Sequence, residues 1–347
     1  MGSVKCIVPC TDFAYRDDFT DANGLIYSTY SDSWGNRFLW GYDERMDQEI
    51  ESVLHESISG GVRLVDTADS YGTGPLKGRA EILLGRGLRS RASRSESDSV
   101  IVATKLAPYP WRLSRHSIVA AVRESIDRMG GARDVIDIGQ LHWSTANYLP
   151  FQDRQLWDGL ADCYDQGLIN AVGLSNYGPV QLKRACKQIR EVRGVPVTLA
   201  QAQVNLLSTE PLKAGGLKCV CDDLGITLAG YSPLALGLLT GKYREGRLPK
   251  GPRSFLFRNL TPKISPVLDA LRTIADSRPG SSMSQIAIAW VATKGCVPIP
   301  GANNLEHARS NVAAAAIELD DDEIMRLDGA SQESREGHMV QNIFNTS

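Results

Sequence analysis

The stretch that decides the fold is "VRLVDTADSYG", residues 62–72, where a short apolar run leads into acids, a tyrosine and a glycine. Short runs that are rich in β-branched residues predict buried strands. Asp66 ends the predicted strand, and Tyr71 follows five residues later. Because a carboxylate is costly to bury without a partner, this placement suits proton transfer better than simple packing.

The same apolar pattern recurs along the chain and alternates with helical patterns. In one of these, Met46, Ile50 and Ile58 follow helical spacing before Gly60. Strands that alternate with helices predict βαβ units and a parallel sheet. Predicted strands cover residues 62–66, 100–104, 135–141, 169–173, 197–203, 226–230 and 296–299, with a weaker first strand near 25–31.

Eight such units predict an α/β fold, a (β/α)8 or TIM barrel that forms a single domain with its active site at the C-terminal ends of the strands. An open doubly wound sheet is the alternative, and it usually carries a Gly-x-Gly-x-x-Gly turn after its first strand. The glycines at positions 72, 74 and 78 have the wrong spacing for that turn.

The boundaries and loops follow from composition. We expect an N-terminal extension over residues 1–23, the barrel over residues 24–330 and a C-terminal tail over residues 331–347. Residues 89–99 are rich in serine and arginine and predict a mobile surface loop. Residues 244–265 are rich in arginine, proline and glycine and predict a long loop after the seventh strand.

The bulk composition excludes several classes of protein. Of the 347 residues, 42% are apolar and 22% are charged, and the net charge of −2 argues against a nucleic-acid partner. Seven irregularly spaced cysteines and five histidines predict reduced, mostly buried thiols and no bound metal. Without a membrane-length apolar run or a secretory core, we expect a soluble intracellular protein with no membrane partner, not secreted. Its oligomeric state stays open between a monomer and a weak homo-oligomer.

Polar residues at the predicted strand ends suggest chemistry. A lysine after a strand is usually a solvated rim residue, and a lone histidine is more often a hydrogen-bonded core residue. Here Asp66, Lys105 and His142 follow different strands, which a barrel brings to one mouth. An ammonium such as Lys105 can support the ionised form of a nearby phenol such as Tyr71. Asp66 can hold Lys105 in place, and His142 can donate to a carbonyl oxygen. The set predicts carbonyl reduction, with the hydride supplied by a cofactor.

The residues that follow the later strands suit that cofactor. The side chains of Asn176 and Gln201 suit a nicotinamide carboxamide, and Tyr231 suits stacking on its ring. The segment "YSPLALGLLTGKY", residues 231–243, predicts a flexible loop over a pyrophosphate. Its Gly241-Lys242 pair is followed by Tyr243, not by Ser or Thr, which excludes a P-loop.

These motifs resemble the aldo-keto reductases. The matching segments, in the family's order, are "DTADSYG" (66–72), "ATK" (103–105), "GQLHWS" (139–144), "GLSNYG" (173–178), "YSPLALGLLTGKY" (231–243) and "VPIPGANNLEHARSN" (297–311). The resemblance implies a catalytic tetrad of Asp66, Tyr71, Lys105 and His142, with Tyr71 as the acid. It implies cofactor contacts from Ser175, Asn176, Gln201, Tyr231, Ser232, Pro233, Leu234, Gly237, Lys242, Gly301, Asn303, Asn304 and Asn311.

Within the family, "WGNRFLWGY" (34–42), "GQLHWSTANY" (139–148), "KGPRSFLFR" (250–258) and "MVQNIF" (339–344) are similar to the plastid pyridoxal reductases of plants. That resemblance implies reduction of the aldehyde of pyridoxal to pyridoxine with NADPH, in the plastid stroma or the cytoplasm. Trp34 and Trp143 are the expected substrate contacts. Residues 30–32 stand where the family usually carries Gly-Thr, and Asn303 stands where a basic residue is frequent in NADPH users. The resemblance favours NADPH as the cofactor, and the uncharged Asn303 leaves NADH open as an alternative.

Two other functions fit the same motifs. One is a broad-specificity reductase that detoxifies small aldehydes. The other is a cofactor-binding, redox-sensing subunit that resembles the channel-associated β subunits of the family. The complete tetrad favours catalysis over sensing.

Overall fold

The computed structural model describes residues 26–28, 42–72, 77–90, 100–243, 246–249 and 253–337; for residues 26–28, 253 and 256 it describes the backbone alone. Several predictions therefore lie outside the described residues. They concern the extension over residues 1–23, the departure at residues 30–32, Trp34, most of the loop at residues 89–99, and residues 338–347 of the tail.

The parallel α/β sheet is confirmed, with eight strands in the order of the sequence. Each strand pairs in parallel with the next, which gives seven successive pairings. The strands are β1 (Ile26–Ser28), β2 (Leu64–Ala68), β3 (Ile101–Leu106), β4 (Ile136–Leu141), β5 (Ile169–Ser175), β6 (Val197–Gln203), β7 (Thr227–Tyr231) and β8 (Val297–Ile299). Some Cα atoms of β1 and β8, the two ends of the sheet, lie within 8 Å of each other.

Two polar residues predicted to end or follow strands lie inside them. β2 continues through Asp66 to Ala68, and β3 includes Lys105. The prediction that the chain leaves the sheet at these residues is wrong. A polar side chain does not end a strand when other buried side chains satisfy it, as they do here.

Helices connect the strands. They are α1 (Asp47–Ser59), α2 (Arg79–Ser90), α3 (Arg115–Arg128), α4 (Pro150–Asp165), α5 (Pro179–Cys186), α6 (Leu217–Leu224), α7 (Arg253–Leu260), α8 (Ser265–Ser277), α9 (Met283–Thr293), α10 (Leu305–Ala313) and α11 (Asp321–Glu333). A π-helical turn, Lys187–Val192, continues α5. Short 3-10 turns cover Glu44–Met46, Glu210–Leu212, Ala235–Thr240, Thr261–Ile264, Ala314–Ala316 and Arg335–Gly337.

Local sequence signals explain where several helices begin and end. α1 ends at Gly60, and Gly61 then takes a φ of 101°, which favours glycine. The capping box predicted at Ser282 and Gln285 is confirmed at the start of α9. These signals set the lengths of the helices that pack on the sheet.

The long loop predicted over residues 244–265 is wrong in its second half. Helix α7 and the turn after it occupy residues 253–264. Phe257 in α7 is fully buried and packs edge-on against Tyr243, with ring centroids 5.1 Å apart. Burial of an aromatic side chain contributes favourable free energy that helps to order a segment whose composition is typical of a loop.

The two faces of the sheet have different neighbours. One face packs under the helices in the main core, which includes Val65, Val102 and Leu174. The other, which we call the inner face, carries a separate apolar layer built only from strand residues: Leu64, Ala103, Ile138, Ala171, Leu199, Ala229 and Ile299. Because side chains alternate along a strand, the residues two positions further along each strand also point to the inner face.

Candidate active site

The layer above the apolar one is polar, and it contains half of the predicted tetrad. Two positions beyond Leu64, Ala103 and Ile138 stand Asp66, Lys105 and Gln140. The strand pairing places Lys105 beside Gln140 on neighbouring strands. The corresponding residues on the later strands are Gly173, Gln201 and Tyr231. The inner face therefore changes from apolar to polar toward the C-terminal ends of the strands, where barrel active sites lie.

Asp66 is the centre of this polar layer. One carboxylate oxygen, Oδ2, forms a buried ion pair with the Lys105 ammonium. The other, Oδ1, accepts hydrogen bonds from Gln140 Nε2 at 2.8 Å and Gln201 Nε2 at 2.6 Å. Gln201 Nε2 also donates to Gln140 Oε1 at 2.9 Å. Since ion pairs and amide donors satisfy buried charge, these contacts offset the cost of burying Asp66 and Lys105.

Tyr71 and His142 stand above this layer. The Lys105 ammonium lies 4.9 Å from the centroid of the Tyr71 ring. The imidazole of His142 meets the same ring edge to face, with centroids 5.6 Å apart. Tyr71 lies in the loop that follows β2 and His142 directly follows β4. The four residues predicted as a tetrad are thus brought together.

The electrostatic environment keeps His142 uncharged. Burial, and secondarily the nearby Lys105 ammonium, lowers the pKa of His142 well below its usual value. Its Nδ1 atom lies 3.2 Å from the hydroxyl of Ser70. If Ser70 donates to Nδ1, the remaining proton is on Nε2, and the ring presents a donor to the space above it.

The residues predicted to face a nicotinamide form a chain of contacts across the ends of β4, β5 and β7. Asn176 Nδ2 donates to the backbone oxygen of His142 at 2.9 Å and to Ser175 Oγ at 3.2 Å. The hydroxyl of Tyr231 donates to Asn176 Oδ1 at 2.8 Å. Asn176 holds this position with a φ of 61°, in the left-handed region that asparagine tolerates better than most residues.

The segment after β7 has an unusual backbone. Ser232, Ala235 and Leu236 have φ values of 53°, 48° and 58°, and Gly237 has a φ of 100°. Positive φ in non-glycine residues is costly and is concentrated at ligand sites. Ser232 is anchored through its backbone oxygen by Asn205 Nδ2 at 2.9 Å. The predicted flexible loop, residues 231–243, contains this strained turn, and Pro233, Leu234 and Lys242 also lie on the loop.

The segment after β8 carries the predicted adenosine-phosphate residues. Asn304 caps α10 by accepting from the His307 backbone at 2.8 Å. Asn303 Oδ1 accepts from Asn304 Nδ2 at 3.3 Å, and Asn311 Nδ2 donates to the Gly301 oxygen at 3.2 Å. These contacts hold the turn from β8 into α10, whose capped N-terminus follows the last strand directly.

Trp143 forms a wall beside the tetrad. Its ring centroid lies 5.1 Å from that of His142, and its indole Nε1 donates to the Tyr148 hydroxyl at 2.8 Å. The side chain is half-buried, so one part of the ring remains accessible. Trp143 is the one predicted substrate contact among the described residues.

Sequence reasoning missed three residues that hold the site. One is Gln140, which contacts Asp66, and another is Ser70, which contacts His142. Asp153, on α4, accepts from the Thr145 backbone at 2.6 Å, from Gln181 at 2.6 Å and from the Ser144 hydroxyl. Alternation would have found Gln140, since it stands on β4 two positions after Ile138, on the same face of the strand. No pattern in the chain points to the contacts of Asp153.

Residues 35–332 match the pattern of the Aldo/keto reductase family. Because this match covers most of the chain and agrees with the fold, the chain belongs to that family, a class of oxidoreductases. In the described parts of the chain, no helix is long and apolar enough to cross a membrane.

Particular relatives are more informative. The chain is 48% identical over 317 residues to a pyridoxal reductase, chloroplastic, from Arabidopsis thaliana, which covers 90% of this chain and 85% of that protein. It is 30% identical over 284 residues to a probable voltage-gated potassium channel subunit beta from Oryza sativa subsp. japonica, covering 78% of this chain and 83% of that one. An aldo-keto reductase from Klebsiella pneumoniae, solved in complex with NADPH, shares the fold with a TM-score of 0.66 at 22% identity, covering 88% of this chain and 89% of that one.

Proposed function

We propose that the protein reduces the aldehyde of pyridoxal to pyridoxine with NADPH, using Tyr71 as the general acid. The observation that carries the proposal is the convergence on Tyr71: the Lys105 ammonium lies 4.9 Å from its ring centroid, and the His142 ring lies 5.6 Å away on centroids. The similarity to the Arabidopsis pyridoxal reductase supports the choice of substrate. The plastid is the matching compartment, since that relative is named as chloroplastic.

The chain's own residues supply the proton and hold the substrate oxygen. A phenol is a weak acid at neutral pH, and a nearby ammonium favours its ionised form and so makes it a better proton donor. Lys105 provides that charge, and Asp66 fixes Lys105 by the buried ion pair. Uncharged His142 donates from Nε2 to the carbonyl oxygen while Tyr71 delivers its proton to the same atom.

The described residues fit a dinucleotide cofactor. NADPH, when bound, supplies the hydride. The strained turn after β7 has four positive φ values from Ser232 to Gly237, and strained backbone of this kind is concentrated at ligand sites. Ser175, Asn176, Gln201 and Tyr231 would surround the nicotinamide. Gly301, Asn303, Asn304 and Asn311 would face the adenosine end, at the start of α10.

We further propose that the sheet closes into a barrel. The approach of β1 to β8 supports closure, as does the inner face, whose apolar layer needs cover from the opposite strands. The barrel domain would then extend over residues 24–330, with the extension and the tail outside it.

A kinetic comparison tests the function. We expect NADPH oxidation, followed by absorbance, to be fastest with pyridoxal among a panel that includes short aliphatic aldehydes and benzaldehyde. Equal rates across the panel would support the broad aldehyde reductase instead. Tight NADPH binding with negligible turnover would support a sensing role instead.

The variant Tyr71→Phe tests the acid. It removes the hydroxyl and keeps the ring, so we expect reduction to fall by at least about a hundredfold while NADPH binding, followed by fluorescence, stays near that of the wild type. Full activity in this variant would show that another group delivers the proton.

A further inference from the structure

Gln140 is a buried amide in contact with a charged pair, and it is not among the residues predicted for the site. Its side chain is fully buried, and it donates from Nε2 to Asp66 Oδ1 at 2.8 Å. Its Oε1 accepts from Gln201 at 2.9 Å, and Gln201 also donates to Asp66 Oδ1. The two amides therefore form a closed triangle with one carboxylate oxygen, while the other oxygen faces Lys105.

The neighbouring strand leaves room for this arrangement. Gly173 of β5 pairs with Gln140. A Cβ atom at Gly173 would lie 2.6 Å from Gln140 Cγ and 3.0 Å from its Oε1. Both distances are below ordinary van der Waals contact, so any larger residue at position 173 displaces the Gln140 side chain. The space over Gly173 is therefore filled by the amide that holds Asp66.

We infer that Gln140 is a positioning residue of the proposed active site, which together with Gln201 fixes the Asp66 carboxylate so that it directs the Lys105 ammonium toward Tyr71. The inference rests on the proposed function. Without Gln140, Oδ1 loses one of its two amide donors, and the carboxylate gains freedom to rotate. The ammonium that supports the Tyr71 phenolate then loses its fixed position, although Gln140 touches neither Tyr71 nor the substrate oxygen.

The first test replaces Gln140 by an apolar residue of similar length. In Gln140→Met we expect kcat for aldehyde reduction to fall by about tenfold or more, since hydrogen bonds to charged groups are among the stronger ones. We expect KM and the Kd for NADPH to change little. The matched control is Gln188→Met. Gln188 also donates to a carboxylate at 2.8 Å, on Asp158, but on the outer helices, so its loss should leave kcat unchanged.

The second test separates positioning from packing by pH. Gln140→Glu keeps the size and, when protonated, donates to Asp66; when ionised, it repels Asp66. Among the described side chains, Asp66 on β2 contacts Gln140 and Lys105 on β3 pairs with it. The titratable Tyr71, His142 and Tyr231 lie at the same end of the sheet. We expect the ratio of kcat for Gln140→Glu to that of the wild type to fall as the pH rises, with unfolding temperatures measured at each pH to exclude denaturation.

The outcomes separate the inference from the function it rests on. Wild-type kcat in Gln140→Met, or a pH-independent ratio for Gln140→Glu, overturns the inference alone when Tyr71→Phe is inactive. A wild-type protein that reduces no aldehyde, or an active Tyr71→Phe, overturns the proposed function and the role of Gln140 with it. If pyridoxal is replaced by another aldehyde as the best substrate, the expected results for both Gln140 variants are the same.

Discussion

Lys105 and Asp66 stand 39 residues apart in the sequence and form an ion pair in which neither side chain is more than 3% exposed. A buried pair of this kind is strongly destabilised when one partner is removed, because the other charge is left in a low-dielectric interior. A buried ion pair contributes little net stability. The proposed chemistry gives a reason for its presence, because the pair places an ammonium beside Tyr71.

Removal of Lys105 should show how much stability is lost when the Asp66 charge is left unpaired. We expect Lys105→Met to lower the free energy of unfolding by roughly 3–5 kcal/mol, measured by urea denaturation, and to abolish reduction. The double variant Lys105→Met/Asp66→Asn should regain part of the stability and none of the activity, because the unpaired charge is gone. An exposed pair, Arg272 and Asp269, provides the control: Arg272→Met should cost less than about 1 kcal/mol. A double variant no more stable than the single one would contradict the account.

Asp153 should contribute strongly to the stability of the fold. It is buried and accepts from the Thr145 backbone, from Ser144 and from Gln181, so it ties the loop after Trp143 to α4 and α5. Asp153→Asn places an amide N–H₂ among donors, and we expect a loss of roughly 2–4 kcal/mol in unfolding free energy. Thermal unfolding measures it, and Asp269→Asn on the surface is the control. An unfolding temperature like that of the wild type would show that the contacts contribute little.

The parallel sheet and the convergence of the four predicted tetrad residues could be predicted because the signals for both lie in local patterns. Apolar runs of four to seven residues marked the strands, and Asp66, Lys105 and His142 stood out as polar residues among apolar ones. Strand ends were less predictable. Asp66 reads as a stop in the sequence, but Gln140 and Gln201 satisfy its charge from other strands, and such long-range contacts leave no mark near position 66.

Composition gave a wrong prediction where one buried side chain stabilises a segment whose other residues are typical of loops. Residues 244–265 read as a loop, yet the burial of Phe257 and its contact with Tyr243 accompany a helix there. The strained turn at Ser232 to Gly237 was equally hidden, because positive φ at Ala235 and Leu236 is set by surrounding structure and not by residue preference.

The environment of His142 predicts a pH dependence of stability. Its pKa is lowered in the folded protein by burial and by Lys105, whereas the unfolded chain has an ordinary value near about 6.5. The unfolded state therefore binds more protons below that pH, so stability contributed by neutral His142 is present above about pH 6.5 and is lost as the pH falls toward the folded value. In His142→Gln, which stays neutral, we expect a smaller drop in unfolding temperature between about pH 7.5 and 5.5. Parallel curves for the two proteins would contradict the assigned pKa direction.

Arg309 and Glu56 offer a test of cofactor choice. Arg309 lies on α10, the helix that begins at the proposed adenosine site, and its guanidinium is held by Glu56 at 2.8 Å on the surface. NADPH differs from NADH by a 2′-phosphate, which an arginine binds well. Since Asn303 supplies no charge, we expect Arg309 to compensate, with Glu56 competing for it. Exposed ion pairs are weak, so a phosphate can displace this one.

The competition between Glu56 and the 2′-phosphate for Arg309 can be tested with two variants. For each variant, the affinities for NADPH and NADH are measured by titration. Arg309→Ala should weaken NADPH binding by about three- to tenfold and leave NADH binding unchanged, because only the former carries the extra phosphate. Glu56→Gln should tighten NADPH binding, with the difference between the nucleotides shrinking at high salt. If both variants change the two affinities equally, Arg309 affects the helix and not the phosphate. If neither affinity changes, the selectivity for NADPH has to come from the asparagines after β8 alone.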